Sequence, residues 1–370
     1  MLRPFFDVLI VGGGPAGSAT ASALARAGKA VALVEKSSYD GRRIGETLTP
    51  AARPLLTALG VWQTFLDAGH LPAPGLVSVW GRTKPREGDF LANPYGDGWQ
   101  LDRARFDHML ASAAAVAGAR VLRQHAVVAC TYDPGRGWTI TVEGNDGPMR
   151  LGARLILDAA GRRTWPGRPA RRRRVVDRLV AVVGYLTVDG GEMPDRRTLV
   201  EAAPNGWWYS APLPDRTLVA AYFTDSQLAR RHGALSEQTW FKLARGTGHT
   251  SRRIGAARLQ LPLRMVPANS SIATPLAAPA WLAVGNAAST FDPLSGQGIY
   301  QALLTAIHAA HIIATSLDCG AVPWQAYAQE VTERFERYLE IRDGYYRMED
   351  RWPDEPFWRR FRRVGYGIRC

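Results

Sequence analysis

The stretch VLIVGGGPAGSATASALARAGKAVALVEK, from Val8 to Lys36, determines the fold class of this 370-residue chain. It reads as an apolar strand, a glycine-rich turn, a helix of small residues and a second strand that ends at Glu35. Gly12 permits the tight turn, Gly14 lets the backbone approach a diphosphate, and Gly17 lets the helix lie close to the strand. The sequence therefore predicts a Rossmann-like nucleotide-binding unit.

The start of the predicted helix is the expected binding site for the diphosphate. Unpaired amides and the positive end of the helix dipole attract negative charge there, and Ala16 lies just before the helix, which is predicted over Ser18 to Arg26. Glu35 follows Gly17 by 18 residues, which suits a carboxylate that accepts hydrogen bonds from an adenosine ribose. We expect Ala16, Glu35 and the adjacent Lys36 to belong to the nucleotide site.

Length and composition indicate an enzyme of two or three domains with a sizeable core. The formal net charge of +13 comes mainly from arginine, since Lys29, Lys36, Lys84 and Lys242 are the only lysines. This charge suits an anionic cofactor, an acidic substrate or an acidic protein partner. The sequence contains no recognised nucleic-acid module, so we do not expect nucleic-acid binding.

Cysteine usage and hydropathy predict a cytoplasmic protein. Cys130, Cys319 and Cys370 lack metal or redox spacing, which indicates reduced thiols. We expect no transmembrane helix because no run of 18 apolar residues is present, and no signal peptide because the nucleotide strand starts at once. His308 and His311 have the spacing of a metal pair but lack a third ligand, so no metal site is expected.

The hydrophobic pattern divides the chain into three parts and predicts an α/β (α+β) fold. Residues 1–75, 100–170 and 270–318 read as one discontinuous nucleotide-binding domain. Residues 76–99 and 171–269 are rich in alternating apolar positions, which is typical of an antiparallel sheet that covers a substrate cavity. Residues 319–370 form a basic, helical C-terminal segment.

Three separated segments point to a family: GGGPAGSAT, DAAGRRT and GNAASTFDPLSGQGI. They resemble the fingerprints of FAD-dependent monooxygenases of the p-hydroxybenzoate hydroxylase class, a superfamily that includes tryptophan halogenases and geranylgeranyl reductases. GRRIGETLTP, NPYGDGWQLDRARFD, NGWWYSAPLP and DPLSGQGIYQAL resemble one branch most. That branch contains the flavoproteins that assist cysteine tryptophylquinone biogenesis, beside lysine ε-oxidase, glycine oxidase and quinohemoprotein amine dehydrogenase.

The resemblance implies a Rossmann-like, three-layer ββα domain that binds FAD, an antiparallel substrate sheet and a short helical tail. Arg43 would lie near the isoalloxazine or the phosphates, and Arg103 near the pyrophosphate. The segment after Phe291 would wrap the flavin, with helix-start amides facing the N1/O2 locus, where reduced flavin carries negative charge. The cofactor-binding residues implied on this segment are Asp292, Gly296, Gln297, Gly298 and Ile299.

One residue departs from the family pattern. Asn286 stands where the family usually has an aspartate that binds the ribityl chain of FAD. Its carboxamide still accepts and donates hydrogen bonds, so we expect FAD binding, with the lost charge weakening the affinity or shifting the flavin potential. The electron source stays open between NAD(P)H and a partner flavin reductase, because no second dinucleotide motif is present.

The resemblance favours hydroxylation of an aromatic ring through a flavin C4a-hydroperoxide. Halogenases of the superfamily carry a W-x-W-x-I-P signature and a lysine that captures hypohalous acid, whereas here Tyr209 replaces the second tryptophan and residues 76–80 contain no lysine. The favoured substrate is tryptophan, either as a small aromatic molecule or in a peptide or partner protein. A halogenase, a geranylgeranyl-reductase-like flavin reductase and a non-catalytic flavoprotein chaperone stay open as alternatives.

Glu46, Pro293 and Gly298 are the candidate catalytic residues. Glu46 and His70 are candidate bases by position, although Glu46 reads more readily as a positioning carboxylate and His70 as a surface histidine. The aromatic residues expected in the substrate pocket are Trp80, Trp99, Trp207, Trp208 and Tyr209.

The basic stretch RWPDEPFWRRFRRVGYGIRC, from Arg351 to Cys370, has two interpretations. It is a closing helix with Trp352, Phe357, Trp358 and Phe361 facing inward, or it is a docking site for an acidic protein partner.

Overall fold

A computed structural model describes residues 4–163, 165–167, 170–187, 195–319 and 323–362. The α-helices are α1 (Pro15–Arg26), α2 (Arg53–Ala58), α3 (Trp62–Asp67), α4 (Arg103–Val116), α5 (Ser226–Arg231), α6 (Glu237–Arg245), α7 (His249–Ile254), α8 (Gly298–Cys319), α9 (Trp324–Arg347) and α10 (Pro356–Arg362).

The strands of the first half are β1 (Phe5–Val11), β2 (Val31–Glu35), β3 (Thr47–Leu48), β4 (Leu71–Ala73), β5 (Gly75–Val79), β6 (Arg86–Asp89), β7 (Gly98–Gln100), β8 (Arg120–Arg123), β9 (Ala126–Asp133), β10 (Gly137–Gly144) and β11 (Gly147–Asp158). Those of the second half are β12 (Arg172–Val175), β13 (Leu179–Thr187), β14 (Thr198–Ala203), β15 (Gly206–Pro212), β16 (Thr217–Asp225), β17 (Arg258–Leu259), β18 (Arg264–Pro267), β19 (Ser271–Thr274), β20 (Ala277–Ala278), β21 (Trp281–Ala283) and β22 (Ser289–Thr290).

The first sheet contains the predicted nucleotide-binding unit. Its strands lie in the order β20, β21, β11, β1, β2, β8, and β10 and β9 extend it from β11. The central pairings of β1 with β2 and β11 are parallel, and Val8, Leu9 and Ile10 are fully buried, as expected for a strand covered on both faces. The predicted helix is confirmed and begins at Pro15, a residue whose fixed φ suits the first helical position.

The second sheet has the order β17, β13, β16, β15, β14, β5, β6, with β18 beside β13. All its pairings are antiparallel except that of β5 with β14, so the predicted antiparallel sheet is confirmed. We call inner face the side whose residues, among them Tyr185, Trp207 and Phe223, share a core with Ile44 and Leu294. The outer face is covered by α5, α6 and α7.

Two small three-stranded sheets lie between these parts: β3, β7 and β4 form one, and β12, β19 and β22 form the other. The domain boundaries expected from the sequence stay a prediction.

The C-terminal part is larger than the short helical tail that the resemblance implied. The 24-residue α9 contributes Tyr327, Val331 and Phe335 to the core of the first sheet, whereas its last turn contributes Tyr346 to the inner-face core of the second. In α10, Phe357 and Trp358 are also buried in that core. The described residues of the C-terminal stretch therefore follow the closing-helix interpretation, and residues 363–370 lie outside the described residues.

The helix α8 is a candidate membrane span over residues 298–317 by length and composition. Its Leu303, Ala306, Ala309 and Ile313 are fully buried in the core of the first sheet. Because a helix at the centre of a protein core meets the same criterion, this packing accounts for its apolar sequence.

Candidate functional site

The glycine turn is built around one open position and two closely packed ones. A Cβ atom at Gly12, where φ is +106°, would lie 2.5 Å from the Ala159 carbonyl oxygen, and one at Gly17 would lie 1.9 Å from the Gly12 carbonyl oxygen. A Cβ atom at Gly14 would meet no atom within 4 Å. Among the described residues no side chain caps the α1 amides at this end, so the space beside Gly14 fits the diphosphate of FAD.

Glu35 lies directly against the glycine turn. Its Oε2 accepts a hydrogen bond from the Gly13 amide at 2.7 Å, and its Oε1 accepts from the Ser37 amide and hydroxyl at 2.9 and 2.6 Å. The Tyr39 hydroxyl donates to the Gly13 carbonyl oxygen at 2.8 Å, and burial raises the pKa of this tyrosine. Lys36 is exposed beside this group.

The two predicted cofactor arginines share one buried carboxylate. Arg43 Nη1 lies 2.7 Å from Asp107 Oδ2, and Arg103 Nη2 lies 3.1 Å from Asp107 Oδ1. Arg43 also hydrogen-bonds the Ser37 hydroxyl and lies 3.6 Å from Glu35 Oε1. Arg43 therefore lies at the ribose and phosphate end of the turn. Asp107 ends the segment NPYGDGWQLDRARFD that carries the resemblance, four positions after Arg103, but its pairing with both arginines was not predicted.

The predicted second contact segment lies beside the first turn of α1. A Cβ atom at Gly285 would lie 2.7 Å from the Ala16 Cβ and 3.7 Å from that of Ala302. Thr20 Oγ1 is 3.5 Å from the Ala306 carbonyl oxygen, so α1 and α8 run in the same direction with their N-termini at one end. The side chain of Asn286 is exposed at this end, where it can reach a bound ligand.

The loop before α8 forms a second open cradle. Pro293, Gln297 and the two glycines of the loop are exposed, and Cβ atoms at Gly296 and Gly298 would meet no atom within 4 Å. Gly296 has φ +61°, a conformation that glycine adopts without strain. Ile299 is buried in the core instead.

Asp292, at the start of this loop, is hydrogen-bonded within the protein. Its Oδ1 accepts a hydrogen bond from the Leu294 amide at 2.9 Å, and its Oδ2 accepts one from the Tyr346 hydroxyl at 2.7 Å. Burial, together with the nearby Asp177, raises the pKa of Asp292 to about 6. Both oxygens are thus engaged within the protein.

A buried polar cluster joins the Gly45–Thr47 turn to the inner face of the second sheet. Glu46 Oε2 accepts from the Gly45 amide at 2.8 Å, and Oε1 accepts from the Tyr185 hydroxyl at 2.7 Å. Thr47 Oγ1 lies 2.7 Å from the Tyr209 hydroxyl. Burial raises the pKa of Glu46, so its carboxyl group holds a proton more tightly than an exposed one.

The sequence analysis missed Tyr185 as a site residue. It lies on β13, which is buried along most of its length, and its partner Glu46 is 139 residues away, so no local pattern singles it out.

His70 is not the surface residue expected from the sequence. It is buried beside Phe65, at 4.8 Å between ring centroids, and its Nδ1 accepts from the Asp102 amide at 3.3 Å. Burial lowers its pKa to about 4, so the ring is neutral near pH 7. This position is in the core of the first sheet, with no contact to Glu46 among the described residues.

The five predicted pocket aromatics lie in three environments. Trp207 and Trp208 face opposite sides of the second sheet because side chains alternate along β15. Trp208 lies under the outer helices, 5.0 Å from the Trp240 ring, and Trp99 lies in the first core, 5.1 Å from the Phe65 ring. The structure therefore does not bring Trp99 and Trp208 to the inner face with the other three.

On the inner face, the chain's own C-terminal part covers two of the tryptophans. Trp80 Nε1 donates to the Tyr345 carbonyl oxygen at 2.8 Å, and Trp207 Nε1 donates to the Tyr346 hydroxyl at 3.0 Å. The Trp358 ring of α10 lies 5.4 Å from that of Trp80. Tyr209, half-buried beside the Glu46 cluster, is the predicted aromatic residue nearest to the candidate catalytic carboxylate.

Two further observations concern ligands. A cavity of about 430 Å³ opens at the carboxyl ends of β2 and β8, where ligands of parallel sheets usually bind. The sequence analysis did not predict this cavity. It is lined by Ser38, Val121, Leu122, Arg123, Gln124 and His125. The described residues contain no cluster of His, Cys, Asp and Glu that could hold a metal ion.

Comparison with known proteins agrees with this geometry. Residues 6–340 match the family described as FAD binding domain. The putative FAD-dependent oxidoreductase LodB of Marinomonas mediterranea is 26% identical over 358 residues, 96% of either chain. The tryptophan 2-halogenase of Chondromyces crocatus is 27% identical over 369 residues, 95% of this chain and 69% of that protein.

Solved structures show the same fold. The myxobacterial chondrochloren halogenase CndH has a TM-score of 0.89 and 26% identity, with 98% of this chain and 87% of that chain covered. The peptidyl tryptophan dihydroxylase QhpG has a TM-score of 0.73 and 23% identity, with 100% of this chain and 80% of that chain covered. The superfamily predicted from the sequence segments is confirmed. The chain belongs to the FAD binding domain family and is an FAD-dependent oxidoreductase.

Proposed function

We propose that this protein hydroxylates an aromatic ring, with tryptophan in a peptide or partner protein as the favoured substrate. One observation carries the choice of hydroxylation: none of the four lysines lies on the inner face of the second sheet. Lys29 follows α1, Lys36 follows β2, Lys84 lies in the exposed turn before β6, and Lys242 lies on the outer helix α6. A halogenase of this superfamily would need such an amine to capture its oxidant.

The chain's own residues supply positioning and exclusion of water. FAD, when bound, supplies the activation of oxygen, and two electrons from it place one oxygen atom on the ring while the other leaves as water. Glu46, held by the Gly45 amide and the Tyr185 hydroxyl, lies at the boundary between the flavin side and the sheet, where burial raises its pKa. The apolar inner face excludes water from that boundary.

An indole ring suits a site with so few bases. It is electron-rich and needs little help from a base, whereas a phenol would benefit from one. A tryptophan-directed relative of 27% identity supports the indole as substrate class. The peptide-borne form follows from the sequence resemblance to flavoproteins that assist tryptophylquinone formation.

The relatedness to that tryptophan 2-halogenase also supports a second candidate function, halogenation. Both candidates use reduced flavin and oxygen, so product mass in the presence of halide separates them. A flavin reductase of the geranylgeranyl type differs from both because it needs no oxygen.

The test supplies the FAD-loaded protein with a tryptophan peptide, oxygen labelled with the heavy isotope, and chloride or bromide. Reduced FAD comes either from NAD(P)H alone or from a separate flavin reductase with NADH, which also identifies the electron source. Labelled oxygen in the peptide supports hydroxylation, and a halogen in the peptide overturns it. Peptide binding without any product would indicate a chaperone.

Two variants examine the polar cluster in the same assay. Tyr185→Phe and Glu46→Gln should lower the yield of oxygenated peptide per FAD oxidised, because the first removes and the second weakens the hydrogen bond that holds this boundary together. Trp208→Phe on the outer face is the control and should leave that yield unchanged.

A further inference from the structure

A groove of about 440 Å³ lies beside the second sheet. Its walls are the segment before β13, the helix α5, the end of α9 and the helix α10. Four arginines from these four elements line it: Arg178, Arg231, Arg342 and Arg360. Three aspartates line it as well, so the walls carry one more positive than negative charge.

Two of the arginines form ion pairs with all three aspartates. Arg342 lies 2.8 Å from Asp177 and 2.7 Å from Asp343, and Arg360 Nη1 lies 2.6 Å from Asp225. Asp225 is further engaged as the cap of α5, where it accepts from the Gln227 amide at 2.7 Å. The carboxylates of the groove therefore have their partners within the protein.

The other two arginines have no such partner. Arg178 and Arg231 are exposed, and in the part of the chain that the structure describes neither side chain makes an ion pair or a hydrogen bond. They lie on separate elements at the same groove. Their uncompensated charges make the groove attractive to an anion.

Arg360 adds directed donors to this charge. Its Nε and Nη2 atoms are buried and have no hydrogen-bond partner among the described residues. The guanidinium is fixed over the rings of Phe357 and Phe361, 4.4 and 4.8 Å from their centroids. Buried donors of a charged group without an acceptor are costly, and the partly exposed guanidinium stands in the groove wall, where a carboxylate that packs against it relieves that cost.

We propose that the groove is a docking site for an acidic polypeptide segment whose carboxylates pair with Arg178, Arg231 and Arg360. Guanidinium groups bind carboxylates through paired hydrogen bonds. The three arginines belong to three separate elements. Several carboxylates along one chain therefore match their charges better than one small anion does. Leu228 and Phe361 supply an apolar wall for the rest of such a segment.

This inference rests on the proposed function, because it assigns the acidic segment to the tryptophan-bearing substrate. Phe361 is part of the groove wall and stacks on Tyr346 at 3.9 Å. The Tyr346 hydroxyl in turn holds Asp292, at the start of the segment that the family uses to wrap the flavin. These contacts link the groove wall to the loop before α8, and in this proposal a segment anchored in the groove determines which tryptophan is presented to the cofactor side.

The experiment measures binding apart from chemistry. A fluorescent peptide with a central phenylalanine in place of tryptophan, flanked by glutamates, is titrated with the FAD-loaded protein and followed by anisotropy. The same peptide flanked by lysines is the comparison. We expect binding of the glutamate peptide only, weakened by salt, and weakened about tenfold or more by Arg178→Glu or Arg231→Glu.

Arg230→Glu is the matched control, since Arg230 is the exposed neighbour of Arg231 on α5 but does not line the groove. Equal weakening by this control, or equal binding of the lysine peptide, overturns the proposal. Displacement by NADPH or inorganic phosphate at the concentration of the peptide also overturns it, in favour of a phosphate site. Because the probe lacks tryptophan, a failure of hydroxylation does not affect this measurement.

Discussion

Replacing Gly14 by alanine separates the packing of the glycine turn from its use as a cradle for FAD. The backbone there has φ −73° and ψ −174°, an extended conformation that a residue before proline adopts readily. The added methyl group meets no protein atom within 4 Å. We therefore expect the free energy of unfolding of the apoprotein to rise by about 0.4–1 kcal/mol, because alanine restricts the unfolded chain.

The same methyl group enters the space assigned to the diphosphate. It forces the phosphates away from the α1 amides, and each lost hydrogen bond to a charged group costs about 1.5–3 kcal/mol. A total loss of about 3 kcal/mol weakens FAD binding by roughly two orders of magnitude. Stability and cofactor affinity thus change in opposite directions.

Urea unfolding of the apoprotein and titration with FAD, followed by flavin fluorescence, measure the two effects. Gly344→Ala on α9 is the control, since its Cβ atom also meets nothing within 4 Å and it lies far from the turn. It should raise stability and leave FAD affinity unchanged. Unchanged FAD affinity in Gly14→Ala would refute the assigned position of the diphosphate, and a less stable apoprotein would refute the open space.

Three further substitutions test the surrounding structure. Burial raises the pKa of Asp292 from 3.8 to about 6, so the stability it contributes is complete below about pH 4 and is lost as the pH rises through about 6. The free energy of unfolding of Asp292→Asn, measured with urea, should therefore rise relative to that of the wild type by at most about 3 kcal/mol between these pH values. Trp207→Phe should cost about 1 kcal/mol more than Trp208→Phe in thermal unfolding, because only the indole of Trp207 has a hydrogen-bond partner. Arg103→Gln should lower the free energy of unfolding by about 3 kcal/mol by weakening the pairing of a buried carboxylate, whereas the exposed Arg105→Gln should cost below about 1 kcal/mol.

The local part of the site could be predicted from the sequence. The glycine turn and Glu35 lie within one strand-helix-strand unit, and each glycine has a conformational or packing reason that neighbouring residues reveal. The resemblance extended this to the loop from Asp292 to Ile299, which the structure places beside the same helix ends.

Contacts between distant segments could not be predicted in this way. The hydrogen bond from Tyr185 to Glu46 joins the second sheet to the Gly45–Thr47 turn, and no local pattern marks either residue as the partner of the other. The pairing of Trp207 with Tyr346 likewise depends on where α9 ends. Strand alternation does predict that Trp207 and Trp208 face opposite sides, but only the fold shows which side is the inner face.

The order of strands in the first sheet has a consequence for synthesis on the ribosome. The first helix to emerge, α1, packs against α8, and β11, the neighbour of β1, pairs at its carboxyl end with β21. Both β21 and α8 come from residues 281–319. A nascent chain shorter than this has an open strand edge at the end of β11 and an uncovered apolar helix. Loading of the cofactor therefore waits for a nearly complete chain, and a premature stop codon before residue 281 produces fragments prone to aggregate.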